Sequence, residues 1–379
     1  MPKPNRIVVK IGSSLLANSD RLTPRFGFLQ RLLEDVARLR GEGYEVVLAS
    51  SGAVALGLNT VGARPETASL RDKQAAAACG MPLLLNAYKQ VGLEFGFDIA
   101  QVLLTLGDFE DHRRFLNTRN TVARLMQSRI VPIINENDSI TTEEIRVGDN
   151  DRLAAKIAQM VEAETFIILT GVDGLYDRNP DEPGAQLVEE VANVSDYIEA
   201  ASGISSLGTG GMLTKLQAAN MAQNAGCTTY IANGEPEYPL SAVLNGTRKC
   251  TKCLPHPQPV SLWETWLADR LQMAGSLVIS DEAAGRLDGM QAIERAQVVE
   301  IIGDFTRGDV LHIYDSAGKE LARGLSDFTS EEARILIRNL DMPSDQLLGY
   351  KSDAHFIRPE NMVVIENRHL AWDAPDKVT

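Results

Sequence analysis

The feature that most constrains this chain is a rhythm of short apolar runs. Residues 6–11, 45–49, 99–104, 130–134, 166–170 and 228–232 are each five or six residues long; the first five are rich in valine, isoleucine and leucine, and the last reads T-T-Y-I-A. Runs that short, bounded by polar or glycine-rich residues, are buried strands rather than helices. Stretches of helical length lie between them. One opens at Thr23 and Pro24, an N-cap and first helical position, and closes at Gly41 or Gly43. Others cover 70–92, with a break expected near Pro82, then 114–129, 150–161 and 212–225. Strands alternating with helices predict an α/β fold, a mostly parallel sheet covered by helices on both faces, with right-handed crossovers.

The rhythm changes after Asn245. Residues 247–261 carry Pro255, Pro257 and Pro259 and predict a linker or irregular surface segment, so 228–232 is expected to be the last strand before it. Short strand-like runs follow at 274–279, 298–303, 309–314 and 321–325, punctuated by Gly308, Gly318 and Gly324, and a helix is expected over 330–340 with Ser330 as its N-cap. The chain of 379 residues therefore divides into a first domain over 1–254, a linker over 255–274 and a small β-rich domain over 275–370. A net charge of -14 argues against nucleic acid and anionic membranes as partners of the whole chain. No apolar run approaches the roughly 18 residues of a membrane helix. Lys10 interrupts the first apolar run, so no signal peptide is expected. Four cysteines in this length are no disulfide framework. A cytoplasmic enzyme or binding protein is the expectation.

Chemistry gathers where the strands end. After 130–134 come Asn135, Glu136, Asn137 and Asp138, and ten residues on Gly148, Asp149, Asn150 and Asp151. Open α/β sheets bind ligands outside the carboxyl ends of their strands. Amides supply donors and acceptors there and carboxylates counter an ammonium group, a combination suited to an amino acid. A polar loop with an N-cap at Asn150 or Asp151 is the plainer reading. Lys10-Ile11-Gly12-Ser13-Ser14, Ser51-Gly52-Ala53 and the G-T-G-G-M-L-T-K of 208–215 are loops whose glycines let backbone N–H groups approach an anion. Singly each can be a tight turn; together, with two lysines, they favour phosphate binding. Neither a P-loop nor the dinucleotide fingerprint is present. None of the five histidines lies in these loops. Phosphorylating a hydroxyl usually calls for a base, whereas a carboxylate with a pKa of about 4.3 is already ionised at neutral pH. Two lysines and no histidine therefore fit phosphorylation of a carboxylate.

Cys250 and Cys253 with His256 make half a zinc site, and reduced thiols are the expected state. Trp263 and Trp266 are expected to pack the linker against the second domain.

V-V-K-I-G-S-S at 8–14, A-S-S-G-A-V-A-L-G at 49–57, R-R-F-L-N-T-R-N-T at 113–121, I-N-E-N-D at 134–138, V-G-D-N-D at 147–151, G-L-Y at 174–176 and S-L-G-T-G-G-M-L-T-K at 206–215 resemble the glutamate 5-kinase family of the amino acid kinase superfamily. Residues 275 to about 368 resemble a PUA domain, through G-D-F-T-R-G-D at 303–309 and A-R-G-L at 322–325. The resemblance implies ATP-dependent phosphorylation of the γ-carboxylate of L-glutamate, the first step of proline synthesis. It implies Lys10 and Lys215 as stabilisers of the transferring phosphoryl group and Asp151 as the residue holding them. It implies Ser51, Asp138 and Asn150 as glutamate ligands with Asn135 close by. Gly12 and Ser13 would offer N–H groups to the phosphates, and Thr170, Gly171, Thr209, Gly210, Gly211, Met212, Leu213, Thr214 and Lys215 would line the ATP site. Mg²⁺ would ride on the nucleotide phosphates. Feedback inhibition by proline, a homo-oligomer and a γ-glutamyl phosphate reductase as pathway partner are further implications.

Three departures stand out. Thr170-Gly171 replaces the family's usual Thr-Asp, Leu213 replaces a small residue, and 288–297 replaces the usual G-x-S-L-L-P stretch. The alternatives that remain are a weakened, regulatory or RNA-binding member of the same family, or another superfamily enzyme such as an N-acetylglutamate kinase.

Overall fold

The architecture comes from a computed structural model that describes residues 5–18, 23–109, 111–140, 149–180, 182–203, 211–257, 259, 273–287, 292–350, 352, 355–358 and 361–365. Contacts divide the chain into two compact units, Met1–Ser261 and Leu262–Thr379.

The strands of the first unit are β1 (Arg6–Ile11), β2 (Glu45–Ala49), β3 (Ile99–Leu104), β4 (Val131–Glu136), β5 (Thr165–Thr170), β6 (Glu190–Val191), β7 (Thr228–Asn233) and β8 (Thr251–Cys253). They form one sheet in the order β3-β4-β2-β1-β5-β7-β8-β6. Every neighbouring pair is parallel except β7 and β8. The helices are α1 (Ser13–Leu16), α2 (Phe26–Gly41), α3 (Ala53–Gly57), α4 (Leu70–Glu94), α5 (His112–Gln127), α6 (Asp149–Met160), α7 (Val194–Gly203), α8 (Gly211–Asn224) and α9 (Pro239–Leu244).

Alternation along β1 assigns the two faces. Ile7, Val9 and Ile11 join Phe28 and Leu32 of α2, Leu84 and Tyr88 of α4 and Leu240 of α9 in one core. Val8 and Lys10 point the other way, toward the face where α6 packs on β1 and against α8. A charged side chain inside a buried strand is tolerable only opposite a counter-charge, and α6 provides it.

Several local expectations change. Pro24 forms an antiparallel bridge with Ala17, and α2 starts after it, at Phe26. The Asn18 N–H is bonded to Thr23 O at 3.0 Å and the Arg25 N–H to Leu16 O at 2.9 Å, so residues 16–18 pair with 23–25 before the helix begins. Helix α4 runs unbroken through Pro82, capped at its start by the reciprocal Ser69–Asp72 pair. Pro82 and Ala78 are exposed, so water can take the carbonyl that the proline leaves without a donor. Strand β7 is not the last of its sheet: β8 lies in the stretch read as linker, and β6 was not anticipated. Strands of two and three residues carry no readable period. In the second unit Thr329, not Ser330, caps the helix Ser330–Arg338, in a capping box with Glu332.

The contact between α3 and α4 is backbone on backbone. A Cβ on Gly57 would lie 1.8 Å from Ala76 O, and one on Gly80 would lie 1.9 Å from Ala53 O. Only glycine permits that approach.

Asp35 is fully buried on α2 and serves α9 as a cap from another element. Its Oδ2 accepts from Leu240 N at 2.7 Å and Ser241 N at 2.9 Å, and its Oδ1 accepts from the Ser241 hydroxyl. Asp35→Ala strands three buried donors at a helix start. It is expected to cost about 3 kcal/mol or more in chemical denaturation; a loss below about 1 kcal/mol would mean that water replaces the carboxylate.

The second unit holds a five-stranded sheet of Val298–Gly303, Gly275–Ile279, Val310–Tyr314, Glu320–Leu325 and Met362–Val364, in that spatial order. Its core includes Leu277, Leu311, Phe328, Leu336 and Phe356. A two-stranded sheet pairs Ile293–Glu294 with His355–Ile357.

Candidate active site

Parallel pairing brings the strand ends to one edge. Lys10 is level with Ala49 of β2 and Ile168 of β5. The Ser50 N–H is bonded to Ile134 O at 2.8 Å, which ties the loop after β2 to the end of β4. Gly52, at φ +94, sits where a Cβ would lie 3.7 Å from Leu16 Cβ and 3.8 Å from Ser13, so the loops after β1 and β2 touch. Its left-handed conformation turns the chain from β2 into α3.

At the centre lies Asp151, 1% exposed, on the first turn of α6. Lys10 Nζ stands 2.5 Å from its Oδ1 and Lys215 Nζ 3.3 Å from its Oδ2. Thr214 Oγ1 is 2.9 Å from Oδ2, and the Lys215 ammonium also donates to Gly211 O at 3.0 Å. Burial would raise the Asp151 pKa, but Lys10 and Lys215 outweigh it, and the carboxyl is held below its ordinary range. Burial lowers the pKa of Lys10, against the pull of Asp151. The 2.5 Å contact with a carboxylate is that of a protonated ammonium.

Near this cluster, buried polar atoms are left without partners. Ser51 Oγ, Asn135 Oδ1 and Asn150 Oδ1 are buried with no hydrogen-bond partner. Buried polar atoms are nearly always paired, so three such atoms, in the loop after β2, at the end of β4 and on the first turn of α6, fit a polar ligand. The Asn135 amide nitrogen faces Met81 Sδ at 3.6 Å, which fixes the orientation of its oxygen. Ser50 Oγ lies 3.1 Å from the buried Tyr88 hydroxyl. Asp138 is buried in the turn after β4.

At the end of β5, Thr170 lies beside Asn233. Gly171 is exposed with open space at its Cβ position. Asp173 is hydrogen-bonded to Tyr176, so it is turned to its own loop. The Gly12 N–H is already bonded to Leu169 O at 3.1 Å. Ser13, which follows it, is the first residue of α1, where backbone N–H groups have no partner within the helix. Met212, Leu213, Thr214 and Lys215 are half-buried on the first turns of α8. Thr209, Gly210 and Gly148 lie outside the described residues, as do Trp263 and Trp266.

Arg25, Glu235, Met81 and Tyr88 were not anticipated from the sequence. Arg25 forms a bidentate pair with Glu235 at 2.7 and 2.9 Å and donates to Ser14 O at 2.9 Å, fastening the loop after β1 to the loop after β7. Nothing local in the sequence links positions 210 residues apart. Cys253 is buried, which pushes its thiol up to about 12. Among the described residues no group of three or more His, Cys, Asp or Glu could hold a metal ion. No helix among the described residues is long and apolar enough to cross a membrane.

A parallel sheet with two lysines bridged by one buried aspartate at its strand ends defines a phosphoryl-transfer class. Residues 5–233 match the amino acid kinase family and residues 275–340 the PUA domain. Carbamate kinase from Giardia lamblia bound to AMP-PNP shares the fold at a TM-score of 0.50, with 15% identity over 67% of this chain and 100% of that one. Glutamate 5-kinase of Paramagnetospirillum magneticum is 40% identical, spanning 95% of this chain and 97% of its own. That of Novosphingobium aromaticivorans is 41% identical over 95% and 96%. The chain belongs to the amino acid kinase family and, within it, to the glutamate 5-kinases. It is a kinase with a C-terminal PUA domain.

Proposed function

We propose that this chain transfers the γ-phosphoryl group of ATP to the side-chain carboxylate of L-glutamate. The product is γ-glutamyl phosphate and the reaction opens proline synthesis. The observation that carries the reading is the Lys10–Asp151–Lys215 cluster at the strand ends. The attacking carboxylate is ionised at neutral pH and needs no base. Its repulsion from the phosphate charge must be neutralised, and preorganised ammonium groups in a buried site do that without reorganising. Lys10 and Lys215 face the phosphoryl oxygens while Asp151 holds both lysines in place. Ser51, Asn135, Asp138 and Asn150 hold glutamate, with acceptors for its ammonium group. Thr170, Gly171, Thr209, Gly210 and the start of α8 line the nucleotide. Mg²⁺ bound with the nucleotide would supply further charge neutralisation.

Trapping the acyl phosphate with hydroxylamine tests the reading. Hydroxamate is expected with L-glutamate and ATP, and not with aspartate or N-acetylglutamate. Hydroxamate with N-acetylglutamate alone would overturn the substrate assignment, and none with any acceptor would overturn the reaction. Adding proline to the same assay tests feedback inhibition. The product is labile, so a reductase that consumes it is the expected partner, and a homo-oligomer in the cytoplasm the expected state.

Gly171 adds a prediction. The open space at its Cβ accepts a carboxylate, which would accept a hydrogen bond from a ribose hydroxyl or the adenine amino group. Gly171→Asp is expected to lower the KM for ATP by about fivefold with kcat little changed. An unchanged KM would remove position 171 from the nucleotide site.

A further inference from the structure

We propose that Thr214 is a positioning residue for the phosphoryl transfer, acting through Asp151 on Lys215. This rests on the glutamate kinase reading of the site. Asp151 Oδ1 is engaged by Lys10 at 2.5 Å, while Oδ2 faces two groups, Thr214 Oγ1 at 2.9 Å and Lys215 Nζ at 3.3 Å. The hydroxyl carries one proton and has a second acceptor in reach, Gly211 O at 3.1 Å. That carbonyl already receives the Lys215 ammonium at 3.0 Å. A carboxylate is the stronger acceptor, so the proton goes to Asp151. Thr214 is therefore the closer donor to Oδ2, and Lys215 is held at longer range. The asymmetry has a consequence for the two lysines. Lys10 is locked in a strand by a short ion pair. Lys215 on α8 is held in place by Gly211 O at 3.0 Å but stands 3.3 Å from Oδ2, so more of its charge is left to act on the phosphoryl oxygens.

Without the hydroxyl, Oδ2 loses its nearest donor and Lys215 closes on it. An ammonium drawn into a tight buried pair has less of its charge left for the phosphoryl oxygens in the transition state, when both substrates are already bound. The effect therefore falls on kcat rather than on KM.

The test is steady-state hydroxamate kinetics on the full chain for wild type, Thr214→Val, Thr214→Ala and Thr214→Ser, with thermal melts alongside. Thr214→Val and Thr214→Ala are expected to lower kcat about tenfold, with KM for ATP and glutamate within about twofold. Thr214→Ser keeps a hydroxyl and is expected to recover most of the lost turnover. A packing role would instead follow the methyl group: Val would be mild and Ser as harmful as Ala. That pattern overturns the proposal, as does full turnover in Thr214→Val, or a loss that falls on the KM for ATP. If Thr214→Val does not fold, the contrast between Ala and Ser decides in the same way. Absence of hydroxamate from folded wild type sinks the kinase reading and Thr214 with it; a working wild type beside an unaffected Thr214→Val sinks Thr214 alone.

Discussion

Lys10→Ala will lower turnover about a thousandfold while the protein stays folded. The two halves of that statement have separate causes. Lys10 supplies one of two ammonium groups in a site where removal of a single preorganised donor typically costs about 10²–10³ in rate. The fold survives because Asp151 is not left alone: Thr214 and Lys215 still engage its Oδ2. The deleted side chain also comes from a position pressed between β2 and β5, where Ala is accommodated as a strand residue. Asp151→Ala behaves differently. It leaves two buried ammonium groups facing each other without a carboxylate, and breaking a buried pair in that sense costs about 3–5 kcal/mol. Hydroxamate rates and thermal melts on both variants separate the effects: Lys10→Ala is inactive and stable, Asp151→Ala inactive and destabilised. Near-normal turnover in Lys10→Ala would remove Lys10 from the catalytic machinery.

Gly80→Val will unfold the first unit or nearly so. Even the Cβ of that residue would overlap Ala53 O at 1.9 Å and approach Gly57 N at 2.8 Å. These contacts are with backbone atoms, so no rotamer change relieves them, and α3 must be pushed off α4. Overpacking a core costs typically about 1–3 kcal/mol where side chains can shift; here the helices themselves must part, and a loss above about 4 kcal/mol is expected. Helix α3 starts directly after Ser51 and Gly52, so a variant that still folds should show a raised KM for glutamate. Urea denaturation with glutamate kinetics checks both. A melting temperature within a few degrees of wild type would show that α3 and α4 separate cheaply.

Much of this molecule was legible in its residues. Six apolar runs fixed the main strands to within two residues, because a buried parallel strand needs an unbroken apolar run and little else does. The strand-end polar residues were legible for the converse reason. Asn135 and Asp151 are useless for packing, and their burial is tolerable only where charges or ligands meet them. Lys10 stood out as a cation inside a valine run.

The interlock of α3 and α4 was written in the sequence, as Ala53 with Gly57 and Ala76 with Gly80, each pair four apart. That spacing puts small residues on one helix face, yet it does not say which other helix will use it. The same limit hid β6 and β8, Arg25 with Glu235, Asp35 with α9, and Met81 with Asn135. Sequence alone determined the mostly parallel sheet and the polar and charged residues gathered at its strand ends, because local periodicity and side-chain charge are properties of short stretches. Only the tertiary structure decided that one carboxylate serves two lysines and a threonine and that the Gly12 N–H is already taken. Those outcomes depend on distances of about 3 Å between groups far apart along the chain, and no local pattern encodes them.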